Sequence, residues 1–271
     1  MTIASVHELL DALGNNTSRF IIDKASMSNA AAGQVFSLWT ATGVPSAGSA
    51  PGSAAVPTSA TTGAIGFTNQ TDPVASYLAW MWAAFSNATS SVEIHDRLAH
   101  MSGLSGTVTT SQGALSLVTT DPGADRRGAS DYSDVTWYLE IYTALGSTGV
   151  NATVAVTYND DSTGNLAAIA LGATPRAGRM YPLISASAGK FIKAVTGVTL
   201  SATTGTAGNF GITATRQRTM ITAPVANKPE VFDWAQLGMP LIPNDSCLFP
   251  VMLCSTTTTG TVRGQGKIAH G

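Results

Sequence analysis

From Thr17 onward the sequence is a succession of short runs rich in Thr, Val, Tyr, Phe and Trp, broken at close intervals by Gly, Pro, Asn or Asp. β-Branched and aromatic side chains fit a pleated, half-buried surface and the breakers supply turns, so this texture calls for many antiparallel strands. Strands are expected near residues 17–23, 33–42, 62–69, 76–85, 91–100, 105–119 and 134–145. Further strands are expected near 150–158, 166–172, 179–185, 192–202, 209–218, 245–255 and 260–269. In the clearest hairpin, Val154, Val156 and Tyr158 share one face and Asn159–Gly164 makes the turn. Tyr77–Phe85 is apolar throughout and could be a buried helix. Its aromatic content and the polar stretch Ser86–Ser91 favour a strand covered on both faces.

One helix precedes this body. Ser5 is placed to cap it, Glu8 completes a capping box, and Val6, Leu9, Leu10 and Leu13 recur at helical spacing before Gly14 ends it. Two turns of helix are marginal in water, so the apolar stripe must dock, either on its own domain or on a neighbouring subunit.

The expected fold is therefore all-β, an antiparallel β-sandwich of jelly-roll type with a short N-terminal amphipathic helix. A faint duplication suggests two related halves. Phe36–Gly43 resembles Leu139–Gly146, with Trp39 over Tyr142; Gly63–Phe67 resembles Val154–Tyr158; turns at Ala88–Ser90 and Ala202–Thr204 follow. The Pro, Gly and charge cluster Asp121–Gly128 is the natural joint. The division expected is an arm at 1–16, a first sandwich half at 17–125 and a second at 126–271.

Charge narrows the function. With 14 basic and 16 acidic residues the net charge is −2, which offers no footprint for nucleic acid. Charged residues make up only 11% of the chain, well below the usual quarter, and Ser, Thr, Ala and Gly take their place. Such a polar but uncharged surface suits contact with other subunits, because interface cores are depleted in Lys, Glu and Asp. Cys247 and Cys254 have no zinc-type neighbours and are expected as buried thiols. The N-terminus lacks a secretory core and no long apolar run occurs, so synthesis in the cytosol without membrane attachment is expected. The sequons at Asn15, Asn69, Asn87 and Asn151 then mark turns.

Gly103-Leu-Ser105-Gly-Thr107 approaches a nucleophile elbow but has Thr at the final Gly position, and no helix is expected after it. His95 and Asp96 are neighbours facing opposite ways on a strand, and His100 faces away from His95, so all three are expected as strand and edge residues. Asp160 and Asp161, with Asn159, Ser162 and Asn165, could gather oxygens for calcium but lack the loop spacing, and a solvated hairpin tip is expected. Glu93, Glu140 and Asp134 could supply a glycosidase acid pair only if the fold set two at the right separation. No phosphate loop or dinucleotide fingerprint is present, so no catalytic, cofactor or metal site is expected. Arg126–Arg127, Arg176 with Arg179, Lys190 with Lys193 and Arg216 with Arg218 are expected in solvated faces or salt bridges. Trp39, Trp80, Trp82, Trp137 and Trp234 could stack on sugars, but core or interface anchors are the commoner use.

Three phrases carry a family resemblance: Tyr138–Asn159, Arg176–Leu183 and Val198–Ile212. With His95–Gly106 and Gly260–Ala269, they resemble structural proteins of tailed-bacteriophage virions. The resemblance implies a β-sandwich without enzyme activity or cofactor, a capsid-associated decoration or minor capsid subunit. A neck, tail or fibre-base component is the next reading, and a carbohydrate-binding module or hydrolase the third. Implied partners are the major capsid protein or other virion proteins and further copies of the chain, a trimer among the options. Candidate adhesive elements are Leu9, Leu10 and Leu13 of the helix, the loop 44–61, and the long connection 219–243 with Pro224, Pro229, Pro240 and Pro243.

Overall fold

The computed structural model describes residues 3–25, 31–71, 75–86, 90–255 and 260–271. Helix α1 (Val6–Asn15) is followed by strands β1 (Thr17–Lys24), β2 (Gln34–Ser37), β3 (Gly43–Val44), β4 (Ser76–Phe85), β5 (Ser90–Leu104) and β6 (Leu115–Ser116). After the single turn α2 (Ala124–Arg127) come β7 (Thr136–Thr143), β8 (Val150–Tyr158), β9 (Thr163–Asn165), β10 (Ile169–Gly172) and β11 (Arg179–Leu183). The chain ends with β12 (Ile192–Leu200), β13 (Asn209–Ala223), β14 (Glu230–Asp233), α3 (Trp234–Leu237), β15 (Leu248–Cys254) and β16 (Val262–His270). The architecture is mostly β, in antiparallel sheets with a short N-terminal helix, as the strand-and-turn texture requires.

Two compact units form. The first holds residues 1–49, 58–96 and 218–271; the second holds 50–57 and 97–217. The sequence-based joint at 125/126 falls inside the second unit, next to α2, whose Arg126 is buried and donates to the carbonyls of Pro57 and Arg97. A Pro/Gly/charge cluster marks a turn, and here the turn is anchored rather than a linker. Each unit is assembled from distant stretches, which a linear scan for boundaries cannot reveal.

The first unit contains a five-stranded sheet ordered β14-β4-β16-β1-β3. On its inner side Phe20, Ile22, Leu78, Met81, Phe85, Val262 and Ile268 enter the core. Gly266 is needed there, because a Cβ at that position would lie 2.1 Å from the Phe20 ring. β15 pairs with β2 and with the Ser90–Asp96 part of β5. α1 docks on this unit: Ser5 Oγ accepts from the Glu8 amide, and Leu9 and Ala12 pack on Ala79 and Ala269. In the second unit β10, β8, β12 and β6 form one sheet, with β9 folded back on β8, and β7 pairs with β11 and β13. Its core gathers Leu98, Trp137, Leu139, Ile141, Val154, Val156, Phe210 and Ile212. Gly211 lets this core close, since a Cβ there would meet the Met101 carbonyl oxygen at 1.8 Å.

Several expectations change. Residues 33–42 yield only β2, and 105–119 only β6. The 62–69 stretch is not a strand; only an isolated bridge joins Ile65 to Leu248. Gly63 (φ 101°) packs against the Gly48 backbone beside Trp39, whose indole N–H donates to the Ser49 carbonyl. This half of the proposed duplication is therefore a loop wrapped on a tryptophan, whereas its counterpart is the regular strand β8. The Ala88–Ser90 turn lies largely outside the described residues. β4 is a strand, but its outer face, with Tyr77, Trp80, Trp82 and Ala84, is only half-buried rather than covered. The connection 219–243 is not one long loop, because it contains the end of β13, β14 and α3.

Candidate functional site

Buried charge comes first, because a charged side chain out of water must be paired. In the second unit Arg97 lies on β5 and Glu140 on β7, both fully buried, and the guanidinium donates in bidentate fashion to Glu140 Oε2 at 2.7 Å and Oε1 at 2.9 Å. The Thr213 and Tyr142 hydroxyls also donate to Glu140 Oε2. Arg97 further donates to His100 Nδ1 at 3.1 Å. That requires a neutral imidazole: burial, followed by the Arg97 charge, pushes the His100 pKa down to about 3 against an opposing pull from Glu140. Burial and the Glu140 carboxylate hold the Tyr142 phenol well above its ordinary range. Glu140 thus accepts from one guanidinium and two hydroxyls, which ties β5, β7 and β13 together.

The other sequence candidates separate. Asp134 pairs with Arg216 at 3.0 Å and accepts from the Ala129 amide. Glu93 bonds His95 Nε2 at 2.6 Å in the first unit. Asp96 pairs there with Arg218 at 3.0 Å and accepts the Cys247 amide. His95, Asp96 and His100 are on β5 as expected, but they are buried rather than edge residues: Asp96 meets Arg218 and His100 meets Tyr142 from other strands, while His95 bonds Glu93 on its own strand and packs edge-on against Phe249. Ser105 lies in a turn beyond β5, its hydroxyl bonded to Thr107. Asp160 pairs with Lys190 and Asp161 with Lys193, so these lysines serve the exposed hairpin tip. No cluster of three metal-ligating side chains occurs among the described residues. Cys247 and Cys254 are both buried and not joined in a disulfide. No helix among the described residues is long and apolar enough to cross a membrane.

One constellation was invisible in sequence. His270 lies between two serines, with Nε2 2.8 Å from Ser18 Oγ and Nδ1 2.8 Å from Ser76 Oγ. Ser18 Oγ also accepts the Thr68 amide, which ties the same hydroxyl to the loop after β3. Burial lowers the His270 pKa. The partners are separated by roughly the whole chain and match no motif; only the pairing of β16 with β1 and β4 brings them together.

The open feature of the first unit is the outer face of its five-stranded sheet. The register aligns Arg19, Lys267, Trp80 and Asp233 as one row across β1, β16, β4 and β14. The next row is Ile21, Gln265, Trp82 and Val231, and a third sets Asp23 opposite Arg263 with an ion pair at 3.4 Å. Above the first row α1 contributes Leu13 and α3 contributes Trp234 to a cavity of about 580 Å³. α3 is fixed by its own capping box, in which Asp233 accepts from the Ala235 and Gln236 amides.

The candidate interface residues are dispersed. Leu9 is buried within the first unit, Leu13 is half-buried, and Leu10 is 58% exposed. Pro224 and Pro229 are exposed, Pro240 is half-buried and Pro243 is buried.

No protein-family model matches the sequence, and no curated protein does. Among solved structures, the chain is similar to one of infectious bursal disease virus, Gx strain, with 10% identity and a TM-score of 0.22 over 94% of this chain and 82% of that one. It is likewise similar to the VP2 subviral particle of infectious bursal disease virus, with 10% identity and a TM-score of 0.17 over 94% and 81%. TM-scores of this size carry no argument about how the chain folds or what it does.

Proposed function

We propose that the chain is a structural component of a tailed-phage particle, a capsid-associated decoration or minor capsid subunit that works as a homo-oligomer through protein–protein interfaces and catalyses no reaction. The observation that carries this reading is where the scarce charge is placed. Lys24, Glu93, Asp96, Arg97, Arg126 and Glu140 are all buried. The other charged side chains are scattered over a surface rich in Ser, Thr and Gly, which also exposes isolated apolar side chains such as Leu10, Val118 and Ile184. Contacts repeated over a lattice favour such a surface, because interface cores exclude Lys, Asp and Glu. The resemblance of Tyr138–Asn159, Arg176–Leu183 and Val198–Ile212 to phage virion proteins points the same way.

The test is copy number. The band should co-purify with DNA-emptied shells at roughly hundreds of copies per particle, and shells lacking it should disassemble at lower temperature. A count matching a single ring would assign it to a neck or tail instead. Absence from purified particles would reject both.

A further inference from the structure

We propose that the outer face of the first unit's five-stranded sheet binds an acidic sugar in the cavity between α1 and α3. The register places Arg19 directly opposite Lys267. Like charges facing each other across an antiparallel pair destabilise it. Neither has a carboxylate partner among the described residues, and the bond from Lys267 to the Leu13 carbonyl is long, at 3.5 Å. An anion bound between them relieves that repulsion.

The rest of the lining specifies what carries the anion. Trp80, directly beside Lys267, and Trp234 offer flat apolar faces, and Gln265 offers an amide that both donates and accepts. Asp233 uses Oδ1 for the α3 cap and has a second carboxylate oxygen available as an acceptor. A ring bearing one carboxylate and several hydroxyls satisfies all of these at once: the carboxylate on Arg19 and Lys267, the ring face on indole, the hydroxyls on Asp233 and Gln265. An acidic peptide would use the cations but bring no hydroxyl donors to Asp233. A nucleotide phosphate is less suited, because the amides at the start of α3 are already taken by Asp233 and leave no backbone cradle for it. The volume, about 580 Å³, lies within the range of small-ligand pockets. This binding site does not depend on the particle role proposed above, and copy number tests that role separately.

The full-length chain is titrated with glucuronate, N-acetylneuraminate, glucose and uridine monophosphate, following indole fluorescence and heat. At least one acidic sugar should saturate at about millimolar concentration, with glucose about tenfold weaker or more. Arg19→Gln and Lys267→Gln should each weaken that binding about tenfold while leaving the melting temperature unchanged or raised, since each removes one of two facing cations. Trp80→Ala should abolish binding, and Trp80→Phe, which keeps a ring on the strand, should weaken it. The proposal is overturned if neither acidic sugar saturates, if glucose or uridine monophosphate binds as tightly, or if both cation variants retain the parent affinity.

Discussion

Two buried cations, Arg97 of the second unit and Lys24 of the first, are held in different ways. In the second, Arg97 meets a carboxylate in bidentate geometry and every oxygen-bearing neighbour of that pair adds a bond. In the first, Lys24 ends among carbonyls, donating to Ala41 O at 2.9 Å and Ser46 O at 3.4 Å, and burial draws its pKa down to about 8. The contrast follows from the groups. A guanidinium stays charged and matches a carboxylate fork, whereas an ammonium can give up its proton when desolvated. Arg97 therefore belongs to a fixed charge pair, whereas Lys24 is a charge that titrates.

The largest effect should come from breaking the fixed pair. Glu140→Leu leaves Arg97 buried without its anion and should cost about 3–5 kcal/mol in chemical denaturation, while Arg97→Met combined with Glu140→Leu should cost less than that single change. If the single change costs under about 1 kcal/mol, the pair is not the lock described.

Lys24 is read by pH. Its folded pKa lies below the unfolded value, so between about pH 8 and 10.5 the unfolded chain binds more protons and stability rises with pH. Below about pH 8 both states are protonated and the cost of burying the ammonium is present in full, on the order of 3 kcal/mol. Lys24→Met should raise the neutral-pH melting temperature and remove that alkaline gain; a parallel pH profile in both proteins would contradict the assignment. His100 behaves alike at acid pH: with its folded pKa below the unfolded one, stability falls as pH drops from about 6.5 towards 3, and His100→Gln should flatten that limb.

The smallest effect belongs to a pair near the surface. Arg127 meets Asp121 at 3.1 Å with the carboxylate half exposed, so Asp121→Asn should shift stability by less than about 1 kcal/mol, and less still in salt. A loss comparable to that of Glu140→Leu would remove the distinction between interior and surface charge.

Local signals proved readable where the chemistry is local. The Ser5 cap and the alternation of β8 involve neighbours in sequence and form as expected, but Glu8 accepts the Ala4 amide instead of closing the box on Ser5, α1 runs through Gly14 to Asn15, and Gly164 joins β9 beyond the turn. Legibility fails where a long-range contact overrides the pattern. The 62–69 run reads as a strand, yet Trp39 draws it into a packed loop. Glu140 and Asp96 read as ordinary strand residues because their partners, Arg97 and Arg218, lie on other strands. The row of Arg19, Lys267, Trp80 and Asp233 had no sequence signature at all: its members come from four separated strands, and only register aligns them.

What the chain determined without help is its class and its economy of charge, since β-branched periodicity and an 11% charged content act residue by residue. Which charges are hidden, which cations face one another and where the unit boundary runs were left to the tertiary structure. Each of these depends on strand pairing between residues far apart in sequence, and a shift of one residue in that pairing would turn every side chain to the other face.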